Sequence, residues 1–140
     1  MSEHSDSKFD VWRALVTIGM AALKARGRAT SDDLLRFRTV CSLNPLFATG
    51  NERNEEQLLN FADWVTEERG LDACLPAAAA LSPALCETAF ALACDALAGR
   101  GPFESRALLV LERIAAALDL ADEAVQPILH VTAIRNRGLE

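Results

Sequence analysis

Apolar residues recur every three or four positions along most of this chain, a spacing typical of helices that bury one face. The first such segment places Trp12, Leu15, Val16, Gly19 and Leu23 on one stripe. No segment alternates between apolar and polar residues as a half-buried strand does. The pattern predicts an all-α fold, a compact bundle of about seven helices. Their predicted bounds are residues 8–26, 30–41, 52–69, 72–81, 83–98, 102–118 and 122–136.

Several predicted helix ends carry sequence signals of their own. Ser7 and Asp10 have the spacing of a capping box at the start of the first helix. Ser82 followed by Pro83 predicts a capped helix start, because the serine side chain accepts a backbone hydrogen bond and proline suits the first helical position. Gly70 predicts the end of the third helix.

The chain also resembles itself when it is shifted by 74 residues. The shift places the helix end and Arg-Gly turn at 22–27 on those at 96–101. It also places a serine and two leucines at positions 31, 34 and 35 on the same residue types at 105, 108 and 109. We therefore predict one helical domain that contains two pseudo-symmetric helical-hairpin units. The predicted bounds are 8–138 for the domain, about 9–41 and 83–118 for the units, and 1–7 for a flexible N-terminus.

Composition narrows the classes of protein to which the chain can belong. Its 140 residues include 25 Ala and 21 Leu, which favours helix and fits one domain. The net charge of −6 gives no electrostatic basis for nucleic-acid binding. No apolar run approaches the roughly 20 residues of a membrane span and the N-terminus does not resemble a signal peptide, so we expect a cytoplasmic protein. The four cysteines lack metal-site spacing, so we expect buried, reduced thiols.

Two stretches of the second half carry a resemblance to a known family. The run LCETAFALACD at 85–95 is similar to the L-x-E-T-A-F-A-x-A-x-D helix of the tellurite-resistance TerB-like family, and IRNRG at 134–138 is similar to its closing I-K-N-R-G. The resemblance covers the chain from about residue 11 to residue 138. It implies an all-helical cytoplasmic domain of bacterial stress systems, made of two related helical units. It also implies an acidic surface that binds a divalent cation such as Ca²⁺ between turns of the two units.

This chain departs from the family pattern at those turns. Each family turn reads A-D-G and is followed by two acidic residues, whereas here Arg26 and Arg100 stand in place of the turn aspartates. The first acidic pair survives as Asp32 and Asp33, while Arg106 and an alanine replace the second. Positive charge at close range opposes cation binding, so we do not expect the family's metal site as the default. Asp32 and Asp33 are the residual candidate ligands for a divalent cation.

The arginines at the turns have two other predicted uses. Together with Arg28 they can form an anion-binding patch. They can instead pair with the surviving aspartates, so that a salt bridge across the pseudo-symmetry axis replaces the cation. The aspartates need no ligand to explain them, because each contributes about 0.3–1 kcal/mol in the first turn of a helix through the helix dipole.

Two carboxylates on the predicted fifth helix are further candidates. Glu87 and Asp95 are eight residues apart and lie on roughly one stripe of that helix. No nucleophile or metal motif accompanies them, so a small hydrolase is disfavoured against a salt bridge or backbone hydrogen bond at a helix junction. The leucine stripe over 108–118 is interpreted as core.

Sequence and resemblance together predict a non-enzymatic TerB-like domain of a bacterial tellurite-resistance or stress-response system. Its predicted partner is another protein, to which it presents a surface, and homo-oligomerisation stays open. The alternative is a domain that binds a divalent cation through a degraded acidic site. No other cofactor is expected.

Overall fold

Helices form nearly all of the described chain, and these residues contain no strand, so the predicted all-α fold is confirmed. The structure is a computed structural model that describes residues 9–27, 30–43, 55–98 and 103–136. The predicted flexible segment 1–7 lies outside the described residues. The α-helices, numbered in chain order, are α1 (Val11–Arg26), α2 (Ser31–Leu43), α3 (Glu55–Arg69), α4 (Cys74–Ala78), α5 (Pro83–Leu97), α6 (Ser105–Ala117) and α7 (Asp122–Arg135).

The start of α5 follows the sequence signal closely. Ser82 is the N-cap, and its side chain accepts a hydrogen bond from the backbone N–H of Leu85 at 3.2 Å. Pro83 is the first helical residue, as predicted. Gly70 also follows the last residue of α3, and its φ of +58° is a conformation that glycine adopts without strain.

Other predicted boundaries are wrong. Helix α1 begins at Val11, not directly after Ser7, and Asp10 is its N-cap through a 2.8 Å hydrogen bond from the backbone N–H of Arg13. Helix α6 begins at Ser105, not at position 102. The helix predicted over 72–81 is a 3₁₀ segment, Gly70–Ala73, followed by the five-residue helix α4.

Helix α1 runs through the centre of the described structure. Every residue from Ala14 to Leu23 is buried, so the single buried stripe predicted for this helix was too narrow. Helix α5 packs along α1 on one side, and α3, α4 and the 3₁₀ segment pack against it on others. Since α1 is covered from several directions, nearly its whole circumference is buried. A helix buried in this way is apolar on all sides and not only along one stripe.

Helices α2 and α6 lie on the outside of this central pair. Phe37 and Cys41 of α2 pack into a cluster formed with α1, α3 and α5. Leu111 and Ala115 of α6 pack into the larger core around α1 and α5. Each outer helix therefore buries one face and leaves the opposite face at the surface.

All four cysteines are buried and none forms a disulfide. Burial raises the pKa of Cys41, Cys74 and Cys94 to about 12, so these thiols stay protonated at neutral pH. Reactive thiol chemistry at these positions is therefore not supported. Among the helices of the described residues, none is long and apolar enough to cross a bilayer.

Candidate functional site

The end of α1 and the start of α2 bring Arg26, Thr30 and Asp33 together. The backbone N–H of Thr30 donates to Asp33 Oδ2 at 2.9 Å, and the N–H of Asp33 donates to Thr30 Oγ1 at 3.1 Å. This reciprocal capping box pairs backbone donors that the helix itself leaves free. Arg26 Nη2 lies 3.4 Å from Asp33 Oδ1. The hydrogen bond from the Thr30 backbone chiefly lowers the pKa of Asp33, and Arg26 lowers it further.

Arginines meet at this turn from two helices. The pairing of an arginine with a surviving aspartate occurs between Arg26 and Asp33, so it lies inside the first predicted unit. Arg106 of α6 approaches the same turn, since a Cβ built on Gly27 would lie 3.8 Å from its Nη1. The described residues contain no ion pair between Arg106 and Asp33, so the structure does not place the predicted salt bridge across the two units there. Candidates at positions 28 and 100 lie outside the described residues.

The residues at this turn do not fit the cation site that the resemblance implies. Asp33 is already bound by Thr30 and Arg26, and Asp32 is exposed at the surface. Ca²⁺ takes six to eight oxygen ligands. Within the described ranges, no group of three or more acidic, histidine or cysteine side chains is placed to hold a metal ion.

Asp95 connects three helices at the end of α5. Its carboxylate accepts hydrogen bonds from Arg135 Nη2 of α7 at 2.9 and 3.2 Å. Its backbone carbonyl accepts a 2.6 Å bond from Arg36 Nη2 of α2, and Arg36 also donates to the carbonyl of Ala96 at 3.3 Å. Carbonyls at a helix end lack intrahelical donors, so Arg36 caps α5. Of the two uses that the sequence left open, a salt bridge or a backbone hydrogen bond at a helix junction, Asp95 has the salt bridge.

The environment of Asp95 has two opposing electrostatic effects. Burial raises the pKa of the carboxyl group, and the guanidinium of Arg135 lowers it, with a net shift upward. Glu87, by contrast, is exposed on α5 and has no hydrogen-bond or ion-pair partner in the described part of the chain. The structure therefore assigns the two carboxylates different surroundings and does not assemble them into an acid–base pair.

Pairs of exposed leucines mark the outer faces of α2 and α6. Leu34 and Leu35 of α2 are 39% and 64% exposed, and Leu108 and Leu109 of α6 are 42% and 62% exposed. The interpretation of the α6 stripe as core is right for Leu111, which is 1% exposed, and wrong for the two leucines before it. Adjacent apolar residues exposed in this way form patches of the kind that mark contact surfaces.

The α2 leucines line a groove between α2 and α3, with α1 beneath it. This groove, called here the first groove, has a volume of about 390 Å³. Arg38 and Asp63 supply its charged lining, and each has an intramolecular partner. Arg38 Nε lies 3.5 Å from Glu55 Oε1, and Asp63 Oδ1 lies 2.7 Å from Lys24 Nζ. The charges of the first groove are therefore neutralised within the protein.

A second groove lies between α6 and α7, with α5 beneath it, and has a volume of about 430 Å³. Phe90 and Leu111 are buried at its base, and Leu108 reaches its lining from α6. Its charged lining residues are Glu112 and Asp122, which are both acidic. Neither forms an ion pair with any described residue, although Asp122 accepts a 3.2 Å hydrogen bond from a neighbouring glutamine. The second groove therefore combines apolar surface with negative charge that no ion pair to a described residue neutralises.

Comparison with known proteins adds no evidence for or against the TerB-like assignment. No protein-family model, no curated protein and no solved structure matches this chain. Membership in the TerB-like family therefore stays a prediction based on the motifs at 85–95 and 134–138. The grooves, the exposed leucines and the contacts of the arginines provide the structural basis for a function.

Sequence reasoning missed some of these features. The capping box was detectable, because Thr30 and Asp33 have the T-x-x-D spacing of that motif. The cap that Arg36 places on α5 joins residues 59 positions apart, and no local signal marks it. The two grooves depend on how neighbouring helices pack, which periodicity alone does not determine.

Proposed function

We propose that this protein is a non-enzymatic, TerB-like protein-interaction module of a bacterial tellurite-resistance or stress-response system. The observation that carries this proposal is the exposed leucine pair on α2 and its counterpart on α6, each beside a groove. An exposed leucine gains free energy when a partner covers it, at about 25 cal/mol per Å² of apolar surface removed from water. Two such patches favour binding to a protein surface over catalysis.

We further propose that the chain is built from two related helical units. The proposal is supported by α2 and α6, which each contain 13 residues and begin 74 positions apart. The same shift takes the buried Phe37 and Cys41 to the buried Leu111 and Ala115. It also takes the exposed leucines of α2 to the exposed leucines of α6. Burial and exposure therefore agree at these four equivalent positions, although they differ at others, such as the exposed Arg36 and the buried Val110.

The packing order gives the same proposal a second kind of support. Helix α2 lies against α5, the first helix of the other proposed unit, and α6 lies against α1 in return. In addition, α3 packs on α1 while α7 packs on α5. Such reciprocal packing is the arrangement expected when two similar hairpins exchange neighbours around an approximate two-fold axis. In this arrangement, the two grooves occupy equivalent positions.

The experiment that tests the interaction proposal compares captured proteins. The tagged protein and the variant Leu35→Ser/Leu109→Ser are each used to capture proteins from a lysate of the source cells, with quantitative mass spectrometry as the readout. We expect at least one protein to be retained by the wild type and lost by the variant. Both leucines are mostly exposed, so the folded state should lose less than about 0.5 kcal/mol per substitution.

A matched control separates surface loss from general damage. Glu68→Ser and Glu87→Ser change two exposed residues on α3 and α5 that line neither groove. We expect this control variant to retain the same proteins as the wild type. Retention of all captured proteins by the leucine variant, with its thermal unfolding unchanged, contradicts the proposed interaction surface.

A further inference from the structure

We propose that the second groove binds an amphipathic helix of a partner protein, with lysine or arginine side chains flanking its apolar face. This inference rests on the proposed function and specifies the chemistry of the partner. Two properties of the groove carry the argument: its apolar surface and the sign of its charge.

The apolar surface extends from the base of the groove to the outside of α6. Phe90 and Leu111 form the base, and Leu108 stands at the lining with 42% of its surface exposed. Leu109, the next residue of α6, is 62% exposed and lies outside the groove lining. A small molecule held in the groove would leave Leu109 in water. A longer occupant that lies over both leucines would cover the whole strip.

The negative charge of the second groove favours an occupant whose polar residues are basic. Glu112 and Asp122 line the groove, and no basic side chain of the described residues does. Because neither carboxylate has an ion-pair partner among the described residues, both are available to a cationic ligand. Complementary charge at the edge of an interface raises the association rate and discriminates against partners of the same charge. Lysine and arginine side chains meet this requirement.

The first groove provides an internal comparison. Arg38 of α2 lies at the position that Glu112 occupies in α6, since the two are 74 residues apart. Arg38 is paired with Glu55, and the other charged lining residue, Asp63, is paired with Lys24. The two grooves therefore carry opposite charges at this equivalent position. Described neighbours neutralise the charged residues of the first groove, whereas no described residue forms an ion pair with those of the second. We therefore assign the basic partner to the second groove.

The walls of the groove favour a helix as the occupant. Helices α6 and α7 form its two sides, and the described residues contain no strand to which an extended peptide could add. A helix laid between two helices inserts apolar side chains spaced three and four residues apart, which is a recurring mode of peptide recognition. The basic residues then occupy the flanks of that helix, within reach of Glu112 and Asp122.

The test uses three labelled synthetic peptides of about 15 residues, a length at which helix formation is marginal in water and is completed on binding. The first has leucines spaced three and four residues apart and lysines elsewhere. The second keeps the leucines and replaces every lysine by glutamate. The third has the composition of the first in an order that destroys the apolar face. Binding to the full chain is measured by fluorescence anisotropy at low and high salt.

We expect the lysine peptide to bind, with the glutamate and scrambled peptides at least about tenfold weaker, a difference of about 1.4 kcal/mol. Higher salt should weaken binding of the lysine peptide. Leu108→Ser should weaken it about tenfold, because it removes apolar contact without changing the charge of the groove, and Glu112→Arg/Asp122→Lys should remove the preference for lysine over glutamate. The control Glu68→Lys/Glu87→Lys changes the net charge equally at exposed positions that do not line the groove and should leave the preference unchanged.

Several outcomes overturn this inference. Equal binding of the lysine and glutamate peptides to the wild type excludes a role for the charge of the groove. If Glu68→Lys/Glu87→Lys removes the preference for lysine as much as Glu112→Arg/Asp122→Lys does, the preference depends on net charge and not on the groove. Unchanged binding by Leu108→Ser places the peptide elsewhere. If sedimentation shows that a second copy of this chain covers the groove, the partner-helix assignment is wrong. Leucine-dependent capture without any peptide binding removes this inference alone, whereas peptide binding without leucine-dependent capture removes the proposed function.

Discussion

Gly19 lies in the middle of α1, directly against the ring of Phe37 from α2. A Cβ built on Gly19 would overlap Cε1 and Cζ of that ring. Phe37 is 1% exposed, so its ring is enclosed by other side chains. Replacement of Gly19 by alanine therefore requires a shift of the ring or of the two helices, and it tests whether this contact sets the distance between α1 and α2.

Two opposing contributions decide the size of the effect. Alanine is favoured over glycine in a helix interior by about 1 kcal/mol. Overpacking of a close-packed core costs about 1–3 kcal/mol, and the enclosure of the Phe37 ring places this site at the upper end of that range. We therefore expect Gly19→Ala to lower the free energy of unfolding by about 2 kcal/mol. For a chain of this length, that is a fall in Tm of about 6 °C.

A second substitution should relieve the overlap. Leucine lacks the far end of the phenylalanine ring, so Phe37→Leu alone leaves a void at a cost of about 1–3 kcal/mol. The double variant Gly19→Ala/Phe37→Leu fills that void and should be within about 1 kcal/mol of the wild type. The proposed second unit already has this pair at the same shift of 74 residues, in the buried Ala93 and Leu111.

Urea unfolding followed by the helical circular dichroism signal measures all four members of this cycle. We expect a coupling free energy between the two positions of at least about 1.5 kcal/mol in favour of the double variant, within the range seen for residues in contact. A stabilised Gly19→Ala variant would refute the steric argument. Additive losses in the double variant would show that the two positions do not compensate each other.

Three further predictions concern a buried hydroxyl, a carboxylate and the cation alternative. Thr17 Oγ1 is buried and has no hydrogen-bond partner among the described residues, so Thr17→Val should raise the unfolding free energy by about 1 kcal/mol. Thr132→Val removes a 2.8 Å bond to a backbone carbonyl and should not raise it, and equal effects of the two substitutions in urea unfolding contradict this. Because the pKa of Asp95 is raised, the folded state binds a proton at this carboxyl group more readily than the unfolded chain does. The ionised Asp95 therefore lowers the free energy of unfolding at neutral pH. This penalty is lost as the pH falls through the raised pKa and the carboxylate becomes protonated. Asp95→Asn should therefore be at least as stable as the wild type at pH 7 in urea titrations, with the advantage shrinking toward acid; a less stable variant at pH 7 refutes the sign. Millimolar Ca²⁺ should leave Tm unchanged in differential scanning fluorimetry because Asp33 is held by Thr30 and Arg26, and a rise in Tm would restore the cation alternative.

Local signals predicted the parts of the fold that depend on neighbouring residues. Ser82 and Pro83 mark the start of α5 because capping and proline geometry act within one helical turn. The start of α1 was misplaced because Ser7 and Asp10 both suit an N-cap and only the structure distinguishes them. Periodicity identified helices but underestimated how completely α1 is buried, since burial depends on the helices that surround it.

The candidate site was predicted only in part, because some of its contacts join residues that are far apart in the sequence. The sequence predicted a salt bridge or a backbone hydrogen bond for Asp95, but its partner Arg135 lies 40 positions away and could not be assigned from spacing. The motif comparison identified Arg26 beside the acidic pair, and the structure places it on Asp33. Leu108 and Leu109 continue an apolar stripe, so the sequence alone did not reveal that they reach the surface.

The proposed function requires that another protein cover the exposed leucines. Its most direct test is photo-crosslinking in living cells with a photoreactive phenylalanine analogue at position 109, compared with the same analogue at position 68, which is exposed on α3 away from both grooves. We expect a discrete crosslinked species, identified by mass spectrometry as a different protein, from position 109 and not from position 68. No adduct at position 109, or the same adducts from both positions, would contradict a protein-binding surface at these leucines.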